Sequence, residues 1–304
     1  MRPLQGVFPP VPTIFTAEGT LDLDRFAQNL QRWNATGLAG YVVLGSNGEF
    51  TLLNEREKLA LIERARAVTP SEKLLIAGTG CESTQETIAL TRAAAHLGAD
   101  LALVITPHYY SPSYQLVNYV THFHRVSEAS PIPVLAYNMP SFAKVDLSPT
   151  TLAEIAQHPN IAGYKESGQN VAKVAEVVAA APPRFKVLAG SASTYLSARL
   201  AGAVGGILAL ALVAPTACVE LDEAIARHDL ARALELQRTL LPLNELITTQ
   251  LGIPAVKAAL DLLGWHGGLP RAPLLPLGDA GREKVRRGLE LAGLLRATER
   301  LQRS

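Results

Sequence analysis

Short apolar runs alternate with longer amphipathic stretches over the first two thirds of the chain. Eight runs stand out: Gly6–Ile14, Tyr41–Ser46, Leu74–Thr79, Leu101–Thr106, Pro133–Asn138, Ile161–Lys165, Phe185–Gly190 and Val204–Leu210. Most are apolar on both alternate faces, as strands are when a parallel sheet is covered on both sides. The stretches between them have helical spacing. In Asn54–Val68, Leu59, Ile62 and Ala65 fall on one side, with Glu55, Lys58 and Arg66 on others. Thr84–Leu97 repeats the pattern with Ile88 and Ala95. Such βα alternation predicts a parallel α/β fold, and eight units favour a closed (β/α)8 TIM barrel over an open sheet.

After the eighth run the pattern changes. From about residue 216 the chain reads as helices only, over Val219–Arg227, Leu230–Leu240, Ala255–Leu263 and Arg282–Arg300. Gly267–Pro276 is rich in glycine and proline and predicts a loop. The barrel's last helix must follow Pro215, so the expected division is a catalytic barrel over 1–230 and a helical region over 231–304. Residues 200–219 carry no charged side chain, and their length is near the ~20 residues of a membrane span. Gly202, Gly205, Gly206 and Pro215 cut that stretch into a helix end, a turn, a buried strand and a new helix start. No membrane partner is expected. The N-terminus lacks the continuous apolar core of a signal peptide and carries Pro9, Pro10 and Pro12.

Composition narrows the class. The 304 residues are 48% hydrophobic and 18% charged, which suits a large core. Basic and acidic residues number 28 and 27, with no basic stripe interleaved with aromatics, so no nucleic-acid partner is expected. Cys81 and Cys218 are the only cysteines and form no C-x-x-C spacing. A disulfide framework or zinc ribbon has no support, and a cytoplasmic location is the expectation. His122 and His124 are two apart, which points them to different helix faces, whereas two-histidine metal sites on helices use a spacing of four. No metal is expected. Neither G-x-G-x-x-G after the first strand nor G-x-x-x-x-G-K-[ST] occurs.

In a barrel of this kind the chemistry lies at the C-terminal ends of the strands. The sixth run ends on Lys165, in a chain with only 8 lysines against 20 arginines. Burial disfavours the charged form of an amine, and a neutral amine attacks ketones to form a Schiff base. The alternatives are a lysine that snorkels to water or pairs with Glu166. Tyr137 ends the neighbouring strand and offers a phenol for proton transfer, or serves as an ordinary core tyrosine. The Gly45–Gly48 turn offers backbone N–H groups and two polar side chains near a helix start, which suits a carboxylate, or it is a plain βα turn. Glu49 then merely favours the following helix N-terminus. Tyr109 and Tyr110 read as loop packing or an interface anchor. Gly190–Ser193 reads as a turn, or as a phosphate loop. All of these share one barrel end.

At these positions the chain resembles a known family. Gly45-Ser46-Asn47-Gly48-Glu49, Tyr137-Asn138-Met139-Pro140 and Gly163-Tyr164-Lys165-Glu166-Ser167-Gly168 occur in the order and at the strand ends of the dihydrodipicolinate synthase and N-acetylneuraminate lyase superfamily. The similarity covers nearly the whole chain, continuing through Gly252-Ile253-Pro254-Ala255-Val256-Lys257. The resemblance implies a pyruvate-dependent class I aldolase on a (β/α)8 barrel with a C-terminal helical region. It implies an imine between a lysine and the ketone of pyruvate, with no metal or organic cofactor. It also implies a homotetramer made of two tight dimers. Carried over by position, Lys165 matches the imine lysine and Tyr137 the catalytic tyrosine. Ser46 and Asn47 match the pair that holds the pyruvate carboxylate and relays protons. Tyr110 matches a tyrosine that reaches into a neighbouring subunit's site. Gly190 and Ile207 match positions lining the lysine pocket, and Ser167 is expected beside them against substrate.

Within the superfamily, Gly45–Phe50, Ala77–Thr84, Val187–Ala192, Leu200–Gly206 and Arg271–Leu274 most resemble 4-hydroxy-2-oxoglutarate aldolase. Dihydrodipicolinate synthases usually carry two threonines in place of Ser46 and Asn47. They also carry an arginine, gripping the aldehyde's carboxylate, where this chain has Phe142. Lys144, two residues on, supplies only a point charge. The first expectation is therefore cleavage of 4-hydroxy-2-oxoglutarate to pyruvate and glyoxylate. The second is condensation of pyruvate with aspartate semialdehyde, as in 4-hydroxy-tetrahydrodipicolinate synthase. A catalytically silent keto-acid-binding barrel is the third, and the intact Lys165 and Tyr137 argue against it.

Overall fold

The computed structural model describes residues 2–295. Eight parallel strands form one sheet: β1 (Gly6–Phe8), β2 (Gly40–Val43), β3 (Leu74–Gly78), β4 (Leu101–Ile105), β5 (Val134–Asn138), β6 (Ile161–Glu166), β7 (Lys186–Ala189) and β8 (Gly205–Ile207). Hydrogen-bonded neighbours follow chain order from β2 to β8, and β8 pairs with β1. The ring closes where Val42 N–H donates to the Pro9 carbonyl and Val11 N–H to the Val42 carbonyl. The predicted (β/α)8 barrel is the observed fold. The first apolar run yields the shortest strand relative to its length because Pro9, Pro10 and Pro12 have no N–H to donate.

Two apolar cores follow from the alternation of side chains along each strand. Phe8, Val42, Ile76, Leu103, Leu135, Leu188 and Ile207 point into the barrel and fill it. Alternate strand residues, such as Tyr41, Val43, Leu75, Val104 and Tyr164, point outward and pack under the helices. The helix Glu55–Val68 starts on a capping box between Asn54 and Glu57. Both satisfy backbone donors that the first helical turn leaves open.

Residues 200–219 resolve as the glycines and proline predict. A helix ends at Leu200, β8 follows, and a new helix runs Pro215–Ala226. Among the described residues no helix is long and apolar enough to cross a membrane. Beyond the barrel come the helix Leu230–Asn244, a π-helical turn Glu245–Gln250, and the helices Ile253–Leu262 and Asp279–Leu291. The last helix starts before the predicted Arg282 and stops well short of Arg300. Gly293 takes a left-handed conformation (φ 71°), and the Leu294 N–H turns back to the Leu289 carbonyl, a glycine-dependent helix stop. Positions 296–300 of the predicted helix lie outside the described residues.

Candidate active site

Register brings the two central side chains together. Tyr137 on β5 pairs with Lys165 on β6. Both point inward, and the Lys165 Nζ lies 4.0 Å from the centre of the Tyr137 ring. Lys165 is 5% exposed. The residues one step further along, Asn138 and Glu166, are also register partners and point to the opposite face. There Glu166 pairs with Lys173 at 3.0 Å and accepts from the Asn138 amide at 2.9 Å. Asp146 joins the group by accepting from Asn138 and pairing with Lys173. Glu166 is thus occupied by Lys173, and Lys165 makes no ion pair among the described residues. The two alternatives for Lys165, snorkelling outward or pairing with Glu166, do not hold: it points into the barrel, buried.

The Tyr137 hydroxyl lies 3.2 Å from the Ser46 Oγ. Ser46 belongs to a single 3-10 turn, Ser46–Gly48, directly after β2. Tyr137, Lys165, Ser46 and Asn47 line one cavity of about 400 Å³ at the C-terminal end of the barrel, together with Ser167, Gly190 and Ile207. The Ser167 Oγ is buried there without a hydrogen-bond partner among the described residues. Gly190 is required opposite it: a Cβ at that position would lie 2.0 Å from the Ser167 Oγ and 2.7 Å from the Glu166 carbonyl oxygen. The Tyr164 phenol, on the outward face, is pushed far above its usual range by burial. Burial likewise raises the Cys218 thiol, to about 12, which makes it an inert core side chain.

The cavity therefore combines an amine, a phenol against it, a hydroxyl on the phenol and a turn that carries the polar side chains of Ser46 and Asn47. That set can bind a small carboxylate, form an imine and move a proton.

Comparison with known sequences and structures gives the family. The model of the dihydrodipicolinate synthetase family matches residues 3–292. The chain belongs to that family. It is 35% identical over 285 residues to a 4-hydroxy-tetrahydrodipicolinate synthase of an Exiguobacterium strain, covering 94% of this chain and 97% of the other. It is 36% identical over 283 residues to one from Methanothrix thermoacetophila, covering 93% and 95%. Among solved structures, a prophage protein of the dihydrodipicolinic acid synthase family from E. coli K12, in complex with pyruvate, superposes with a TM-score of 0.90 at 30% identity, covering 96% and 99%. As a member of this family, the chain is a pyruvate-dependent, Schiff-base-forming enzyme that needs no external cofactor.

Seven of the eight site residues named from the sequence line this cavity; Tyr110 does not. It is 64% exposed and stands edge-on to Tyr109, with ring centres 5.0 Å apart. Lys144, considered as a substitute for the missing arginine, turns its Nζ to the Ser141 carbonyl instead. Glu49 does not take the alternative role, at the helix N-terminus. Its carboxylate is buried against Lys257, and the capping is done by Asn54. Sequence reasoning missed Thr248, Thr249, Gly252 and Ile253, which line the cavity from the C-terminal helical region. The only signal for them was the Gly252-Ile253-Pro254 motif, in which Gly252 adopts φ 66° and Pro254 opens the helix. Among the described residues no group of three or more His, Cys, Asp or Glu is placed to hold a metal ion.

Proposed function

We propose that Lys165 forms an imine with pyruvate in this cavity, and that the enamine derived from it makes or breaks a carbon–carbon bond to an aldehyde. The observation that carries the reading is the buried Lys165 Nζ against the Tyr137 ring, whose hydroxyl meets Ser46. The family structure solved with pyruvate supports the choice of keto acid. In this reading the Lys165 amine attacks the C2 ketone and water leaves. The protonated imine withdraws electrons, Tyr137 and its hydroxyl partner Ser46 take up the C3 proton, and the enamine attacks the aldehyde carbon. The new hydroxyl gains a proton, and hydrolysis frees Lys165. Cleavage is the same sequence reversed. Asn47 and Ser46 hold the pyruvate carboxylate, with Ser167, Gly190 and Ile207 shaping the pocket.

For the aldehyde, the names of both relatives favour aspartate semialdehyde, and so 4-hydroxy-tetrahydrodipicolinate synthase. The first expectation from the sequence, 4-hydroxy-2-oxoglutarate, has less support from the relatives. One observation keeps it as a second reading. Phe142, 57% exposed, lines the cavity where a synthase would place its arginine, and no guanidinium is among the lining residues. The deciding experiment assays the purified enzyme with both aldehyde systems. A kcat/KM for aspartate semialdehyde condensation well above that for 4-hydroxy-2-oxoglutarate cleavage supports the synthase; the reverse ratio supports the aldolase.

The reading extends to a cytoplasmic homotetramer of two tight dimers, in which Tyr110 completes a neighbour's cavity. Its exposure, away from its own cavity, supports that role. We place the chemistry in the barrel, taken as 1–230, with Thr248, Thr249, Gly252 and Ile253 of the following helical region lining the same cavity.

A further inference from the structure

The turn that presents Ser46 and Asn47 is held from beneath by an ion pair that the reaction does not use. The Glu49 Oε1 lies 2.6 Å from the Lys257 Nζ, with side chains 0% and 1% exposed. The other Glu49 oxygen accepts from the Arg271 backbone N–H at 2.7 Å. Lys257 also donates to the Leu269 carbonyl at 2.9 Å and sits over the Phe15 ring. Burial pushes the Lys257 ammonium below its usual range, and the Glu49 charge opposes that. A buried pair is weak evidence for stability, since an apolar pair of similar size often does as well. Its presence calls for another reason.

The backbone supplies one. Glu49 adopts φ 57°, ψ 36°, a left-handed conformation that disfavours a side chain. Such strain persists where the surroundings over-determine it. Here they do. The Thr13 hydroxyl donates to the Gly48 carbonyl at 2.6 Å, and the Glu49 N–H donates to the Ser46 carbonyl at 3.1 Å. A shift of Glu49 is therefore passed directly to Ser46. Lys257 lies on the helix whose first turn, with Gly252 and Ile253, faces the same cavity.

We propose that Glu49 and Lys257 are positioning residues for keto-acid binding: their ion pair locks the left-handed turn that aims Ser46 and Asn47 at the pyruvate carboxylate. The cradle at the end of β2 is thereby made dependent on the C-terminal helical region. The inference rests on the reading of the cavity as a pyruvate-imine site.

The test uses the full-length enzyme and three variants: Glu49→Gln, Lys257→Met and the double variant Glu49→Gln/Lys257→Met. For each, the pyruvate concentration giving half-maximal borohydride trapping is measured with the limiting number of adducts per chain and the thermal midpoint. The single variants lose thermal stability, and half-saturation rises roughly tenfold or more, as for other ångström-scale misplacements of a binding group. The limiting adduct count stays at the wild-type value. The double variant recovers thermal stability because no unpaired charge is buried, yet keeps the weakened pyruvate binding. Should a single variant fail to fold, the double variant carries the test. Recovery of wild-type half-saturation together with stability would reduce the pair to a structural role and overturn the inference. Wild-type protein that traps no pyruvate would instead overturn the reading of the site itself.

Discussion

Lys165 and Tyr137 are register partners on adjacent strands, and the amine rests 4.0 Å from the centre of the aromatic ring. The ring and the hydroxyl of Tyr137 thus have separable duties. The ring walls the amine, while the hydroxyl reaches Ser46 at 3.2 Å. Tyr137→Phe keeps the wall and removes the hydroxyl that we propose carries the proton. We expect kcat to fall by ~10²–10⁴-fold with imine formation largely retained. Steady-state kinetics alongside borohydride trapping measures both; near wild-type turnover would place the proton relay elsewhere.

In the proposed reading, Phe142 governs the aldehyde. A carboxylate held by a charge-assisted hydrogen bond gains about 1.5–3 kcal/mol, or roughly ten- to a hundredfold in specificity. Phe142→Arg should move the kcat/KM ratio toward aspartate semialdehyde and away from 4-hydroxy-2-oxoglutarate by that factor. An unchanged ratio would mean that the aldehyde's far end does not approach this position.

Behind the site, Lys173 neutralises the buried Glu166. Lys173→Met leaves that carboxylate out of water with only neutral donors, Asn138 and the Gly168 N–H. Breaking a buried pair on one side costs about 3–5 kcal/mol. A urea titration should show a clear drop in midpoint. The outer partner, Asp146, has a side chain more than half exposed. Asp146→Asn should therefore shift the midpoint far less.

His122 sets part of the acid stability. Buried, and bonded through Nδ1 to the Thr84 hydroxyl at 2.9 Å, it is pushed down to about 4 by desolvation, against a weaker opposing pull from Glu82. Its folded value lies below its unfolded one. As pH falls through about 6.5 the unfolded chain takes up a proton that the folded chain refuses. Stability from this group is complete above that pH and declines toward pH 4, by about 1.4 kcal/mol per unit. His122→Gln should flatten the stability profile across this window relative to wild type. Parallel profiles for the two proteins would contradict the assignment.

Much of the site was legible because it depends on short-range periodicity. A run of apolar residues ending on Lys165 reads as a buried strand end whatever lies around it, and the same holds for Tyr137 one strand away. Long-range partners were not legible. Nothing near Glu49 announces Lys257, because the two meet only after the C-terminal helices fold back on the barrel. Glu166 is next to Lys165 in sequence and so offers a partner for it, but consecutive strand residues face opposite ways. Thr248 and Thr249 reach the cavity from a π-helical turn, Glu245–Gln250, whose wider winding breaks the helical period that a sequence pattern can reveal. Tyr110 could be placed only by resemblance, since its expected contacts belong to a second subunit.

The central claim is that Lys165 is the imine lysine. Incubating the enzyme with pyruvate and borohydride, then mapping the peptides by mass spectrometry, tests it directly. The account predicts one stable adduct per chain, on the peptide carrying Lys165, and none in Lys165→Ala. An adduct on Lys144 or Lys257 instead, or equal trapping in Lys165→Ala, would contradict it.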